Sequence, residues 1–223
     1  MNKLTIKEIK ERSYKKHNNI IANYIERPLS YYFIWLLYPI GITGNQVSLF
    51  SIFFMVVPLT LIIVGKPVIG TFLLLFISIL DCVDGGMAKC RKNKTKMGKY
   101  LEYTFHEICT PALFFALSIY SFRYFNNYIM LILGTITVFS IFLVNVCGKN
   151  KELLIPKQSI TKFGGIKNNG IITKVIILFN GQGNMYYIMF LLSIFGLLQY
   201  AIIFYSLFYS SIAVVKFLTE LGV

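Results

Sequence analysis

Val68-Ile69-Gly70-Thr71-Phe72-Leu73-Leu74-Leu75-Phe76-Ile77-Ser78-Ile79-Leu80-Asp81-Cys82-Val83-Asp84-Gly85-Gly86-Met87-Ala88-Lys89 is the stretch that decides how this chain folds. As a helix, a run of this length crosses the hydrocarbon core of a bilayer, which takes about 20 apolar residues. Its last turns carry Asp81 and Asp84, the only aspartates of the chain. Carboxylates at the edge of a membrane span are costly and are kept where they have a task.

The rest of the chain has the same character. It has 223 residues, of which 56% are hydrophobic and 14% charged, and its mean hydropathy is +0.66. A soluble domain has about 45–50% apolar and about 25% charged residues. The apolar stretches are too long and too numerous for a buried core, so the expected class is an all-α integral membrane protein. The net charge is +13. In a membrane protein such an excess marks cytoplasmic loops and an attraction to anionic lipid or phosphate. The basic runs lack the aromatic interleaving of nucleic-acid binders, so no nucleic-acid partner is expected. The four cysteines have no paired zinc spacing and read as small, reduced apolar residues. The polar N-terminus, mixed in charge, gives no sign of a cleavable signal peptide.

Two regions are expected. Residues 1–42 form an N-terminal cytoplasmic or interfacial helical segment. Leu4, Ile6, Ile9 and Tyr14 give it an amphipathic face, Pro28 breaks the helix, and Tyr31, Tyr32, Phe33, Trp35 and Tyr38 sit at headgroup level. Residues 43–223 form a six-span transmembrane domain, with spans near 45–64, 68–88, 98–120, 128–147, 185–199 and 201–217. Ser121 to Asn127 reads as a short polar turn, and 171–179 as a surface or entering helix. A basic loop follows the second span and a lysine-rich loop, 148–174, follows the fourth. Six spans put both termini on the side of these loops. The positive-inside rule makes that side cytoplasmic, which fits the plasma (inner) membrane of a bacterium.

On a helix, Asp81 and Asp84 share one face, and so do Glu102 and His106 on the next span. The short basic loop returns the chain at the same depth, so three carboxylates and an imidazole can meet at the cytoplasmic rim. Acids this close repel unless cations intervene. Hard oxygen ligands suit Mg²⁺ or Mn²⁺, and a pair of such ions bridges a pyrophosphate. Gly85 and Ala88 leave room for a nucleotide near the backbone. Lys89, Arg91 and Lys92 offer positive charge to phosphate oxygens. Plainer readings stand beside these. Asn45 and Ser48 also fit a helix cap, Lys89 a snorkelling lysine, Thr95 a loop residue, and Glu107 a paired neighbour rather than a ligand.

Residues 81–106 resemble the signature of the CDP-alcohol phosphatidyltransferases, D-x2-D-G-x2-A-R-x8-G-x3-D-x3-D. Every spacing is met, and Asp81, Asp84, Gly85, Ala88 and Gly98 match. Gly44-Asn45-Gln46-Val47-Ser48 is similar to the Pro-Asn-x-x-Thr/Ser opening of the family's first span. The resemblance implies a membrane transferase. It would move a phosphoalcohol or phosphatidyl group from a CDP-linked donor to a hydroxyl acceptor, release CMP, and serve phospholipid or related lipid or glycan biosynthesis. It further implies two divalent cations, Mg²⁺ or Mn²⁺, held by Asp81, Asp84, Glu102 and His106. Asn45, Ser48, Gly85, Ala88, Lys89, Thr95 and Gly98 are then the donor contacts. His106 takes the place of the family's last aspartate, which is both ligand and catalytic base. A homodimer is also implied.

Three positions depart from the signature. Lys89 keeps the charge of the usual arginine without its planar fork. Glu102 reaches one methylene further than aspartate. His106 removes a negative charge from the set and brings an imidazole, a common general base, in its place. The resemblance leaves two donors open, CDP-diacylglycerol or a soluble CDP-alcohol. The rival readings are a catalytically silent nucleotide- or lipid-binding relative and a cation transporter, whose polar residues would be spread through the spans.

Overall fold

The computed structural model of the chain describes residues 4–14, 21–93, 95–154, 179 and 181–221. Every regular element among them is helical. Helix α1 (Ile6–Ser13) starts at Thr5, whose hydroxyl accepts from the Glu8 N–H while the Glu8 carboxylate accepts from the Thr5 N–H. This reciprocal cap satisfies two N–H groups that the first turn leaves open. Ile9 is fully buried among Ile34, Val83 and Met87. Burying such a side chain contributes about 1.5–3 kcal/mol. Its apolar face therefore docks α1 onto the bundle.

Helix α2 (Arg27–Leu37) continues without a break from a π-helical turn, Ala22–Glu26. The expectation that Pro28 breaks the helix is wrong, because Pro28 lies in the first turn of α2. A proline inside a continuing helix lacks its N–H and collides with the carbonyl four residues back, here that of Tyr24. The wider turn just before Pro28 opens that spacing and lets the helix pass.

Helices α3 (Gly44–Phe54) and α4 (Val56–Ile63) make one span, Gly44–Ile63, interrupted at Met55 where Pro58 cannot bond the Phe54 carbonyl. Then follow α5 (Pro67–Cys90), α6 (Lys96–Phe125), α7 (Ile129–Leu154), α8 (Gln182–Ile194) and α9 (Ala201–Leu221). Among the described residues, five helical stretches are long and apolar enough to cross a membrane: Gly44–Ile63, Pro67–Cys90, Lys96–Phe125, Ile129–Val146 and Leu198–Leu218. Where the sequence predicts a sixth span, the described residues hold a shorter apolar helix, Gly183–Ile194. The chain is an integral membrane protein.

Several boundaries move. Helix α6 runs on to Phe125 and stops at Asn126, which adopts the left-handed conformation (φ 49°). The polar residues expected in the turn stay helical because they find partners across the bundle. Ser121 donates to the Gln199 carbonyl, and Arg123 to that of Ile63. Helix α7 continues past the expected end at 147 to Leu154. The break between the last two helices comes earlier than expected, at Gly196 (φ +67°), where the Leu197 N–H returns to the Leu192 carbonyl. Of the expected helix 171–179, only Phe179 lies within the described residues, packed against Phe204 and Phe208.

Two apolar clusters set the position of α5. One holds Ile77, Phe114, Leu117, Met185 and Tyr205 in the centre of the bundle. The other gathers Ile9, Tyr31, Ile34, Val47, Leu80, Val83 and Met87 behind the end of α5. Gly86 is required there, since a Cβ would run into the Ile34 side chain where α2 crosses. With Leu80, Val83 and Met87 turned inward, helical periodicity turns Asp81, Gly85 and Ala88 the other way.

Candidate active site

The free face of α5 looks into a cavity of about 540 Å³ at one end of the bundle. The ends of α1 and α5 and the first turns of α2, α3, α6 and α8 enclose it. Among its walls are Asp81, Asp84, Glu102 and His106. So are Asn45, Ser48, Gly85, Ala88, Lys89, Thr95 and Gly98. Every residue singled out from the resemblance thus borders one space.

His106 and Asp81 face each other across the α5–α6 corner, with Nε2 3.9 Å from Oδ1. Both are partly open to the cavity, their side chains 41% and 37% exposed. Ser48, buried in α3, donates its hydroxyl to Asp84 Oδ2 at 2.5 Å. Thr95 begins α6. Its hydroxyl accepts from the Gly98 N–H at 2.9 Å and from Asn45 Nδ2 at 3.1 Å. Gly98 makes that meeting possible, because a Cβ there would stand 2.8 Å from Asn45 Oδ1. At Gly85 the situation is reversed. A Cβ would meet nothing within 4 Å, so the missing side chain leaves open cavity beside the carboxylates.

The plainer readings sort themselves. Asn45 does not cap α3. Thr43 does, in a reciprocal arrangement with Gln46, and Asn45 points its amide to Thr95. Thr95 is a helix cap rather than a loop residue. Lys89 borders the cavity and donates to the Ser13 carbonyl at 2.7 Å, where a cation suits the C-terminal end of α1. Glu107 lies off the cavity and accepts from Asn145 Nδ2 at 2.8 Å. Arg91 is also off the cavity. It donates to the Tyr38 carbonyl and stacks 4.7 Å over the Tyr38 ring.

Sequence reasoning missed part of the wall. Glu26, at the end of the π-helical turn, is only 3% exposed and borders the cavity. It accepts from Ser78 Oγ at 2.6 Å and, over 3.8 Å, from Cys82 Sγ. Burial holds its carboxyl above the ordinary value, partly offset by the Ser78 hydrogen bond. Arg27, Ser30, Asn184 and Tyr186 also line the space. The available signal was an acidic residue two positions before Pro28, in a segment otherwise read as lying on the membrane surface.

Among the described residues, no group of three or more His, Cys, Asp or Glu side chains is drawn together closely enough to hold an ion. The donor set on this wall, three carboxylates and an imidazole, nevertheless fits a hard divalent cation chemically. The open space at Gly85 leaves room for one and for a phosphate group.

A family model described as CDP-alcohol phosphatidyltransferase matches residues 42–208. No curated protein matches in sequence. The fold is similar to that of the phosphatidylinositol phosphate synthase of Mycobacterium tuberculosis, whose crystal structure has CDP-DAG bound. The TM-score is 0.53 and the identity 20%, over 85% of this chain and 93% of that one.

Proposed function

The chain belongs to the CDP-alcohol phosphatidyltransferase family, and from that premise we propose that its cavity transfers a phosphatidyl group from CDP-diacylglycerol to a small polar alcohol. The enzyme is a membrane transferase of lipid biosynthesis that uses a CDP-linked donor. The observation that carries the reading is the gathering of the whole signature, Asp81 to His106, with Asn45 and Ser48, around one cavity. The choice of donor is supported by the similarly folded mycobacterial synthase, which holds CDP-DAG.

In the proposed reaction the acceptor oxygen bonds to the phosphorus next to the diacylglycerol. The bridging P–O bond to the CMP phosphate breaks, and the acceptor proton passes to His106. The family is generally divalent-cation dependent. Two such ions, Mg²⁺ or Mn²⁺, held by Asp81, Asp84 and Glu102, would supply charge neutralisation at the pyrophosphate. An imidazole that ligates through one nitrogen carries its proton on the other, so it cannot also be the base. Of the two roles the resemblance implies for His106, the base is the one its position beside Asp81 supports, since a carboxylate stabilises the imidazolium that forms. Ser48 holds Asp84 in one orientation. Asn45 and Thr95 offer polar contacts to the cytidine half of the donor, Gly85 and Ala88 leave it room, and Gly98 lets Asn45 approach Thr95. Lys89 brings positive charge to the rim. The lysine-rich loops support a site open to the cytoplasm of a bacterial cell. The family resemblance supports a homodimer.

The test is CMP release by the purified chain in nanodiscs with Mg²⁺ or Mn²⁺. One arm supplies labelled CDP-diacylglycerol with soluble alcohols. The other supplies CDP-choline with diacylglycerol. Turnover in the first arm, abolished by a chelator, is expected. Turnover in the second arm alone replaces the donor assignment. CMP release in neither arm overturns the reading.

A further inference from the structure

We propose that the Glu26–Arg27 turn is the acceptor subsite of this cavity and that it selects an uncharged alcohol with two or more hydroxyl groups. The inference rests on the transferase reading and adds to it the wall that recognises the second substrate.

Glu26 is almost wholly buried yet borders the cavity. An ionised carboxylate offers about four lone-pair positions. Here one strong donor, the Ser78 hydroxyl, and one weak thiol approach it, and no ion pair among the described residues reaches it. Beside it on the same wall, Arg27 has a buried Nε–H without a hydrogen-bond acceptor. A buried donor or acceptor left unmade costs about 1–3 kcal/mol. An orphaned buried group of this kind calls for a function or a bound partner.

The two groups ask for opposite chemistry: the carboxylate needs a donor and the guanidinium an acceptor. A hydroxyl is both. An ammonium would satisfy Glu26 and leave Arg27 unmet. A phosphate or carboxylate on the acceptor would be set against Glu26, Asp81 and Asp84 together. The spacing also suits a polyol. Ser78, which positions Glu26, lies one turn before Asp81 and Cys82 on α5. One turn is about 5.4 Å. A molecule with its anchoring hydroxyl at Glu26 and Arg27 and its attacking hydroxyl toward His106 therefore spans a few carbons. The π-helical turn is what directs Glu26 inward at this level.

The experiment uses the full chain in nanodiscs with CDP-diacylglycerol and four acceptors. Glycerol and myo-inositol are the neutral polyols, and ethanolamine and glycerol 3-phosphate the charged ones. Wild-type turnover with the neutral pair is expected. Glu26→Gln is expected to raise the polyol KM about tenfold, the size of one lost hydrogen bond to a charged group. The KM for CDP-diacylglycerol and the affinity for CMP stay unchanged. Ser78→Ala, which removes only the donor to Glu26, raises the same KM by a smaller factor and serves if the first variant does not fold. An unchanged polyol KM in these variants overturns the inference, as does a donor KM that rises in step. Turnover with the charged acceptors alone also overturns it, while leaving the transferase reading intact. Absence of CMP release from any donor brings down both.

Discussion

His106 Nε2 stands 3.9 Å from Asp81 Oδ1, which ties the first turns of α6 to the last turns of α5. The pair bridges the basic turn between two helices and places a proton acceptor beside a carboxylate. A positioned base contributes about 10²–10⁴-fold to a rate. His106→Ala is therefore expected to lower kcat by at least about 10²-fold, with the donor KM little changed. CMP release in saturating Mn²⁺ is the measurement. Unchanged turnover there removes His106 from the chemistry.

Ser48 donates to Asp84 Oδ2 at 2.5 Å, which links α3 to α5. A hydrogen bond to a charged group is worth about 1.5–3 kcal/mol. Ser48→Ala frees the Asp84 carboxylate to rotate and leaves one of its oxygens without its donor. The expected result is a Mn²⁺ requirement raised about tenfold or more, the same energy expressed as an equilibrium constant. Titration of activity against free Mn²⁺ reads it, and an unchanged half-saturation point rejects a positioning role for Ser48.

How much of this was legible in the sequence differs by element. The spans could be read because apolar run length is a direct response to bilayer thickness. Asp81, Asp84, Glu102 and His106 could be placed on one cavity because helical spacing and one short loop leave them little freedom. The ends of helices were harder. Ser121 and Arg123 look like turn residues, but their partners at Gln199 and Ile63 are distant in sequence. Pro28 looks like a helix breaker, and only a local widening of the helix makes it otherwise. That misreading is also why Glu26 was missed, since its route into the cavity depends on the same turn.

Gly85 separates folding from function. A Cβ there meets nothing within 4 Å among the described residues, and alanine is favoured over glycine in a helix interior by about 0.5–1 kcal/mol. Gly85→Ala is expected to fold as well as the native chain or slightly better, and to lose affinity for CMP and for the donor. Thermal unfolding with and without CMP distinguishes the two effects. Stabilisation by CMP equal to that of the native chain shows that the space at Gly85 is not used by the nucleotide.

Glu26 predicts a pH-dependent stability. Burial raises its carboxyl in the fold, the Ser78 bond lowers it by less, and the nearby Asp81 charge adds to the rise. The protonated form is thus favoured by folding. That contribution is complete below the ordinary glutamate range and is lost as pH rises through the raised value in the folded state. Glutamine carries no charge at any pH, so Glu26→Gln escapes the loss. The difference in melting temperature, variant minus native, should be smallest at the acidic end and grow as pH rises above the ordinary glutamate range. Unfolding scans in detergent without acceptor would measure it. A difference that is flat with pH, or that shrinks as pH rises, means that Glu26 is not the buried carboxylate described here.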